Sequence, residues 1–328
     1  MNSRLMILRL AFKDLSAVFG MVVGYIPSLV IPGRFDNWLV DRLASLLFQL
    51  RPGKTQAFAR RMSMSFGDRT PERDLLDEAQ GHYKLLLEGP LARLRSLRRN
   101  GWKPDITVEG MEHLEAGRAA GAGTVLWRMP FGSSLATKTG LYQEGVSITH
   151  LSEEYHGASS PVWISRKLLC PLIQRSENWF VSERVIIPDD GSTMGIMKTL
   201  LDRLKNQNAV VSLVAYRLGT QNLWAPLFDG WAGFAIGSPS LAWRAGSVLL
   251  PVYTAREGTG RYKVVIDEPI EVDRSLKRKD FLREATDEYA ARMEKALLRY
   301  PGSWGKWGRF WSRTGPYETQ TTNRPATP

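Results

Sequence analysis

The chain holds one cysteine, Cys170, and only four histidines, His82, His113, His150 and His156. A single thiol excludes an intrachain disulfide and any cysteine-based metal centre, and no two histidines stand at metal-ligand spacing, so no metal site is expected. Repeats, a dinucleotide-binding glycine pattern and a phosphate loop are also missing: the GSTMG of 191–195 is too short and lacks the Lys-Ser/Thr that such a loop needs. Acidic residues are outnumbered, 33 against 44 Lys and Arg, for a net charge of +11. That balance favours anionic partners, whether nucleic acid, anionic lipid or an acidic carrier protein. No helix-turn-helix, zinc or aromatic RNA-binding motif accompanies it, so nucleic acid is not the expected partner. What is present is ordinary for a folded protein: 328 residues, 43% hydrophobic, long enough for one large α/β domain with appended helices.

Near the start, 15–32 (LSAVFGMVVGYIPSLVIP) is mostly apolar and follows Arg4, Arg9 and Lys13. It stands at the lower length limit for crossing a bilayer, and Gly20, Gly24 and Pro27 weaken a straight helix. Three readings stay open: an anchor or re-entrant hairpin, a helix lying in the interface, or a buried core helix. Lys13 and Asp14, with no small-residue cleavage site, speak against a signal peptide.

From 36 to 101 the pattern is helical. Asp36 is the expected cap of its first helix, and another helix is expected to start after Thr70 with Pro71 in its first turn. Gly89-Pro90 is expected to break or kink that helix. Arg93, Arg95, Arg98 and Arg99, interleaved with leucines, read as a basic amphipathic face for an anionic membrane or as an ordinary solvated face. From 106 onward, short apolar runs alternate with helical stretches, as in a parallel sheet flanked by helices. Strands are expected at 106–109, 124–127, 146–151, 184–187, 210–215, 248–253 and 262–266. Helices are expected at 112–119, 135–142, 161–173, 191–205, 238–243 and 279–299. The polar 318–328 reads as a disordered tail.

Several segments together resemble the bacterial lipid A (lauroyl or myristoyl) acyltransferases, within the lysophospholipid acyltransferase superfamily. In 222–253, Phe228, Gly230, Gly237, Pro239, Leu241, Ala242, Gly246 and Pro251 follow the pattern of that family, with Ala245-Gly246 reversing its Gly-Ala order. In 293–313, Glu294, Pro301, Trp304 and Trp307 match the family's ending, and 191–215 is similar to its helix feeding a strand. The Trp-rich 304–311 reads either as rings at headgroup depth or as rings packed on the domain.

The resemblance implies an α/β fold with a mostly parallel central sheet and an N-terminal helical, membrane-associated region. It divides the chain into a membrane-associating segment (1–35), a helical region (36–101), the acyltransferase-like domain (102–317) and the tail. It also implies chemistry. Such enzymes move a fatty acyl group from an acyl carrier protein or coenzyme A thioester to a lipid hydroxyl, through a His-x-x-x-x-Asp/Glu motif. The imidazole takes the hydroxyl proton, and the acid fixes its tautomer.

Here, aligning the motif on Phe131-Gly132 puts Pro130 at the His position and Leu135 at the acidic one. Tyr216 stands where a second acid is expected, with Arg217 beside it. Ser133 and Ser134 are candidate substitutes, though serine at a helix start more commonly caps it, and Glu153, Glu154 and His156 could supply a relocated base. Arg128, Gly132, Arg217, Phe228, Gly230, Gly237 and Pro239 are the expected substrate-binding residues. The chain is therefore expected to be an impaired homologue on the cytoplasmic face of the inner membrane. It would bind lipid or glycolipid, acyl carrier protein or an active acyltransferase, and no cofactor is expected. The alternatives are an active acyltransferase with rewired residues and, on charge alone, a nucleic-acid binder.

Overall fold

The computed structural model describes residues 31–69, 71, 73–98, 101–153, 167, 170–187, 194–215, 221–305, 307 and 311–312. It opens with α1 (Asp36–Leu50), α2 (Pro52–Phe66) and α3 (Leu75–Ser96). Strand and helix then alternate through β1 (Asp105–Glu109), α4 (Met111–Ala119), β2 (Thr124–Arg128), α5 (Ser134–Gln143) and β3 (Ile148–Glu153). Next come α6 (Cys170–Glu177), β4 (Glu183–Ile187), α7 (Met194–Gln207), β5 (Val210–Val214), β6 (Asn222–Leu227) and β7 (Gly230–Ala235). The chain continues through α8 (Gly237–Ala245), β8 (Val248–Gly258), β9 (Arg261–Ile266), α9 (Arg278–Arg299) and β10 (Trp311–Ser312).

Seven strands form one sheet in the order β1-β9-β8-β2-β5-β3-β4, and β8 with β9 is its one antiparallel pair. The α/β fold with a mostly parallel central sheet is as expected. Parallel strands buried on both faces must be apolar throughout, and β2, TVLWR, has every residue buried. On one face Leu126, Leu250, Val252 and Val264 pack with Leu114 of α4 and Leu141 of α5. On the other, Trp127 stacks on Tyr289 of α9 with ring centroids 3.9 Å apart. A second sheet, β10-β7-β6, lies outside the expected strands. Its hairpin, with Pro226, Gly230 and Gly233 in its strands, carries little of the β-branched run that marks a strand.

Several helical expectations need correction. Asp36 is the first residue of α1 rather than its N-cap; its carboxylate accepts from Arg95 Nη2 at 2.6 Å. Arg95 is thus a clamp between α1 and α3, 10% exposed, rather than part of a solvated basic face. The helix expected after Thr70 begins at Leu75, because the Asp74 side chain accepts from Leu76 N and Asp77 N. Pro90 lies inside α3 without ending it. Trp304 and Trp307 are 0% and 4% exposed, so both rings pack on the domain. The 3-10 turn before them, Pro301–Ser303, ties the helical region to the sheet. Gly302 N donates to Glu78 Oε2 at 2.8 Å, His82 Nδ1 donates to Gly302 O at 3.0 Å, and Arg256 N donates to Ser303 Oγ at 3.0 Å. No described helix is long and apolar enough to cross a membrane, and residues 1–30 and the tail 318–328 lie outside the described residues.

Pro90 is exposed and deprives the Leu86 carbonyl of its helical donor. Restoring that bond is worth about 3 kcal/mol in a helix interior, less about 1 kcal/mol for the freer unfolded chain. Pro90→Ala is expected to raise the unfolding free energy by about 2 kcal/mol in urea melts. A loss of stability would show that the chain needs the proline where it stands.

Candidate functional site

β2 is central in the sheet, and its carboxyl end runs straight into the turn Met129–Pro130–Phe131–Gly132 and the start of α5. Three backbone bonds fix this turn: Met129 N to Val252 O at 2.8 Å, Phe131 N to Met129 O at 2.8 Å and Gly132 N to Ser303 O at 2.6 Å. Gly132 has φ +55°, and a Cβ there would come within 1.9 Å of Thr254 O. Only glycine tolerates both demands.

At this turn the two motif positions carry Pro130 and Leu135, the latter 2% exposed. Neither can exchange a proton. The two serines beside them are already engaged: Ser133 Oγ accepts from Ala136 N at 3.1 Å as the cap of α5, and Ser134 Oγ accepts from Arg128 Nη1 at 2.9 Å. Thr137 Oγ1 shares a 2.7 Å hydrogen bond with Thr254 Oγ1.

The ionisable groups lie one helical turn deeper. Lys138 of α5, 1% exposed overall, donates to Glu177 Oε2 of α6 at 2.5 Å. Glu177 also accepts from Arg184 Nη2 of β4 at 3.2 Å. Arg184 pairs in register with His150 of β3, and His150 with Ser212 of β5. Residues opposite one another across a sheet share a face, and alternate residues return to it. Arg128, Ser212, His150, Ser152 and Arg184 therefore share one face of the sheet: Ser212, His150 and Arg184 in a middle row, Arg128 and Ser152 one row nearer the carboxyl ends of their strands. Burial, with Arg128 and Arg184 repelling it, pulls the Lys138 ammonium down to about 7 against the attraction of Glu177. Burial likewise lowers the pKa of Arg128, opposed by Glu177.

Of the expected substrate-binding residues, Arg128 and Gly132 meet Ser133 and Ser134 at this turn. Phe228, Gly230, Gly237 and Pro239 lie on the other face of the sheet. Phe228, at φ +52°, closes the β6–β7 hairpin; its N–H donates to Glu294 Oε2 at 2.6 Å, and its ring meets Phe66 edge-on at 5.0 Å. Glu153 ends β3 exposed, turned to the face opposite Arg128. Glu154, His156, Tyr216 and Arg217 lie outside the described residues. Lys138, Glu177 and Arg184 were not anticipated. Lys138 is the one charged residue of SLATKTGLYQ, which could have flagged it, but nothing in the sequence links it to Glu177.

Comparison with known proteins adds little. No family model matches the chain, and no curated protein matches it significantly. Among solved structures, the 1-acyl-sn-glycerophosphate (LPA) acyltransferase PlsC from Thermotoga maritima is similar with a TM-score of 0.39 and 15% identity, over 84% of this chain and 100% of that one. So low a score leaves the functional reading to the site itself. A shallow groove of about 330 Å³ between α4 and the start of β8, lined by His113, Gly117, Ser247 and Ile270, opens at the opposite end of the sheet.

Removing one partner of a buried ion pair strands the other, at a cost of about 3–5 kcal/mol. Glu177→Gln is expected to lose that much in urea unfolding; an unchanged midpoint would mean that the cations are neutralised by other means. Lys138 has a folded pKa below its unfolded value of 10.5, so between about pH 7 and 10.5 the unfolded chain holds the extra proton. Stability attributable to Lys138 therefore rises with pH across that window. Subtracting the stability profile of Lys138→Met from that of the wild type should reveal this rise, and a flat difference would contradict it.

Proposed function

We propose that this chain is a membrane-associated, acyltransferase-like protein that binds an acylated lipid or an acyl donor without performing ordinary acyl transfer. The observation that carries this reading is the end of β2. The backbone turn and helix start that the resemblance associates with a catalytic dyad are kept, while Pro130 and buried Leu135 fill the dyad positions and both neighbouring serines are engaged. A positioned general base is worth about 10²–10⁴ in rate, so its loss leaves binding and orientation.

Contact with a membrane surface is supported by α1. Its Trp38, Leu43, Leu46, Leu47 and Leu50 are 40–68% exposed, directly after the apolar 15–32. Arg34, Arg42 and Arg51 flank this row, as at an anionic lipid surface.

A second reading, acyl transfer through rewired residues, is favoured by one observation: Lys138, drawn down to about 7, has the proton affinity of a general base. The two readings separate on substitution. Acyl transfer from acyl carrier protein and coenzyme A thioesters to a phospholipid panel is expected to be absent in the wild type and to appear in the double variant Pro130→His, Leu135→Glu. Wild-type turnover abolished by Lys138→Met would overturn the first reading in favour of the second. Burying one large apolar side chain is worth about 1.5–3 kcal/mol, so Leu46→Glu is expected to weaken sedimentation with anionic vesicles by about tenfold or more. Unchanged sedimentation would remove α1 from the membrane contact.

A further inference from the structure

We propose that Arg256 is the hub of a conformational coupling: docking of α1 on the domain orders the Met129–Gly132 turn, and release of α1 loosens it. The inference goes beyond the acyl-binding reading and stands without it, because the coupling needs neither a lipid nor an acyl chain.

The element that moves is α1. Of its 15 residues only Val40 and Ala44 are buried, so little apolar surface holds it down. Polar ties add to these: Asp36 to Arg95 and Asp41 to Lys84 Nζ at 2.7 Å, both on α3, and Asp41 Oδ1 to Thr259 Oγ1 at 2.8 Å, in the turn between β8 and β9. Gly260 of that turn lies so close that a Cβ on it would come within 2.4 Å of Asn37 Oδ1. An element held by so few buried contacts opens locally at low cost, which gives it two states, docked and released.

Arg256 connects α1 to the candidate site. The pairing of β8 with β9 shifts register between Arg256 and Gly258, a bulge of the kind that re-aims side chains. There Arg256 Nη2 donates to Thr259 Oγ1 at 2.9 Å, while Nε and Nη2 donate to Glu88 Oε1 of α3 at 3.2 and 3.0 Å. The Tyr262 hydroxyl, opposite Arg256 in register, donates to the other oxygen of the same carboxylate. Thr259 thus accepts from Arg256 and donates to Asp41, and each bond polarises the other. The backbone of Arg256 carries the tie onward: its N–H donates to Ser303 Oγ at 3.0 Å, and Ser303 O accepts from Gly132 N at 2.6 Å.

One residue therefore joins α1 to Gly132 through consecutive hydrogen bonds, side chain on one side and backbone on the other. Arg256 is 11% exposed and Glu88 6%, and a close-packed interior transmits small displacements. A contact that holds α1 down orders the turn, and by reciprocity a ligand that orders the turn strengthens the docking of α1.

Hydrogen exchange of the full chain tests the coupling, read at the amides of α1, of Gly132 and, as a control, of α4. Val40→Ala loosens α1 and is expected to speed exchange about fivefold or more both in α1 and at Gly132, leaving α4 unchanged. In a Thr259→Val background, where the relay is cut, the same substitution is expected to speed α1 alone. Exchange at Gly132 that ignores Val40→Ala, or that rises as much in the Thr259→Val background, overturns the proposal. So does an α1 that Val40→Ala leaves unaffected, or an α4 that speeds together with Gly132, which is what a general loss of stability produces. Should Thr259→Val fail to fold, Asp41→Ala cuts the same relay from the α1 side and takes its place.

Discussion

The buried carboxylate of Glu177 is the interaction on which the packing of α5 and α6 against the sheet depends. It accepts from Lys138 of α5 and Arg184 of β4, so one side chain joins a helix before β3 to the strand after it. Without it, like charges would face one another in a region almost free of water. Desolvating such a group costs several kcal/mol, which the pairing must offset, and that makes the cluster poor evidence of added stability but good evidence of a retained arrangement.

The sheet was legible in the sequence because parallel strands buried on both faces must be nearly continuous apolar runs. TVLWR and VVSLV declare themselves, and so does the long α9 with its apolar residues one turn apart. Features set by tertiary contact were not legible. Asp36 reads as a cap until Arg95 claims it, and Pro90 reads as a break or a kink, of which the break is ruled out because α3 continues past it. The tryptophans 304 and 307 suit a membrane interface by composition, but they pack inside because the Pro301–Ser303 turn is pinned to Glu78 and His82.

The candidate site divides along the same line. Its glycine and serines were visible because a turn feeding a helix has a local signature: Ser133 at the cap and Gly132 where a side chain cannot fit. The charges that define the site's chemistry come from Lys138, Glu177 and Arg184, far apart in the chain and each unremarkable alone. That Pro130 and Leu135 cannot exchange a proton was evident from the sequence, whereas the charged cluster beneath them emerged only from the packing of α5 and α6 on the sheet. Among the described residues, the turn thus carries no proton-exchanging group at Pro130 or Leu135, and the buried charges lie one helical turn deeper.

Binding without turnover is the central claim. Native mass spectrometry tests it most directly, on the full chain released from vesicles after incubation with a phospholipid and an acyl thioester. The account predicts a complex with the phospholipid at its unchanged mass. A complex whose lipid has gained the mass of the acyl group would contradict it.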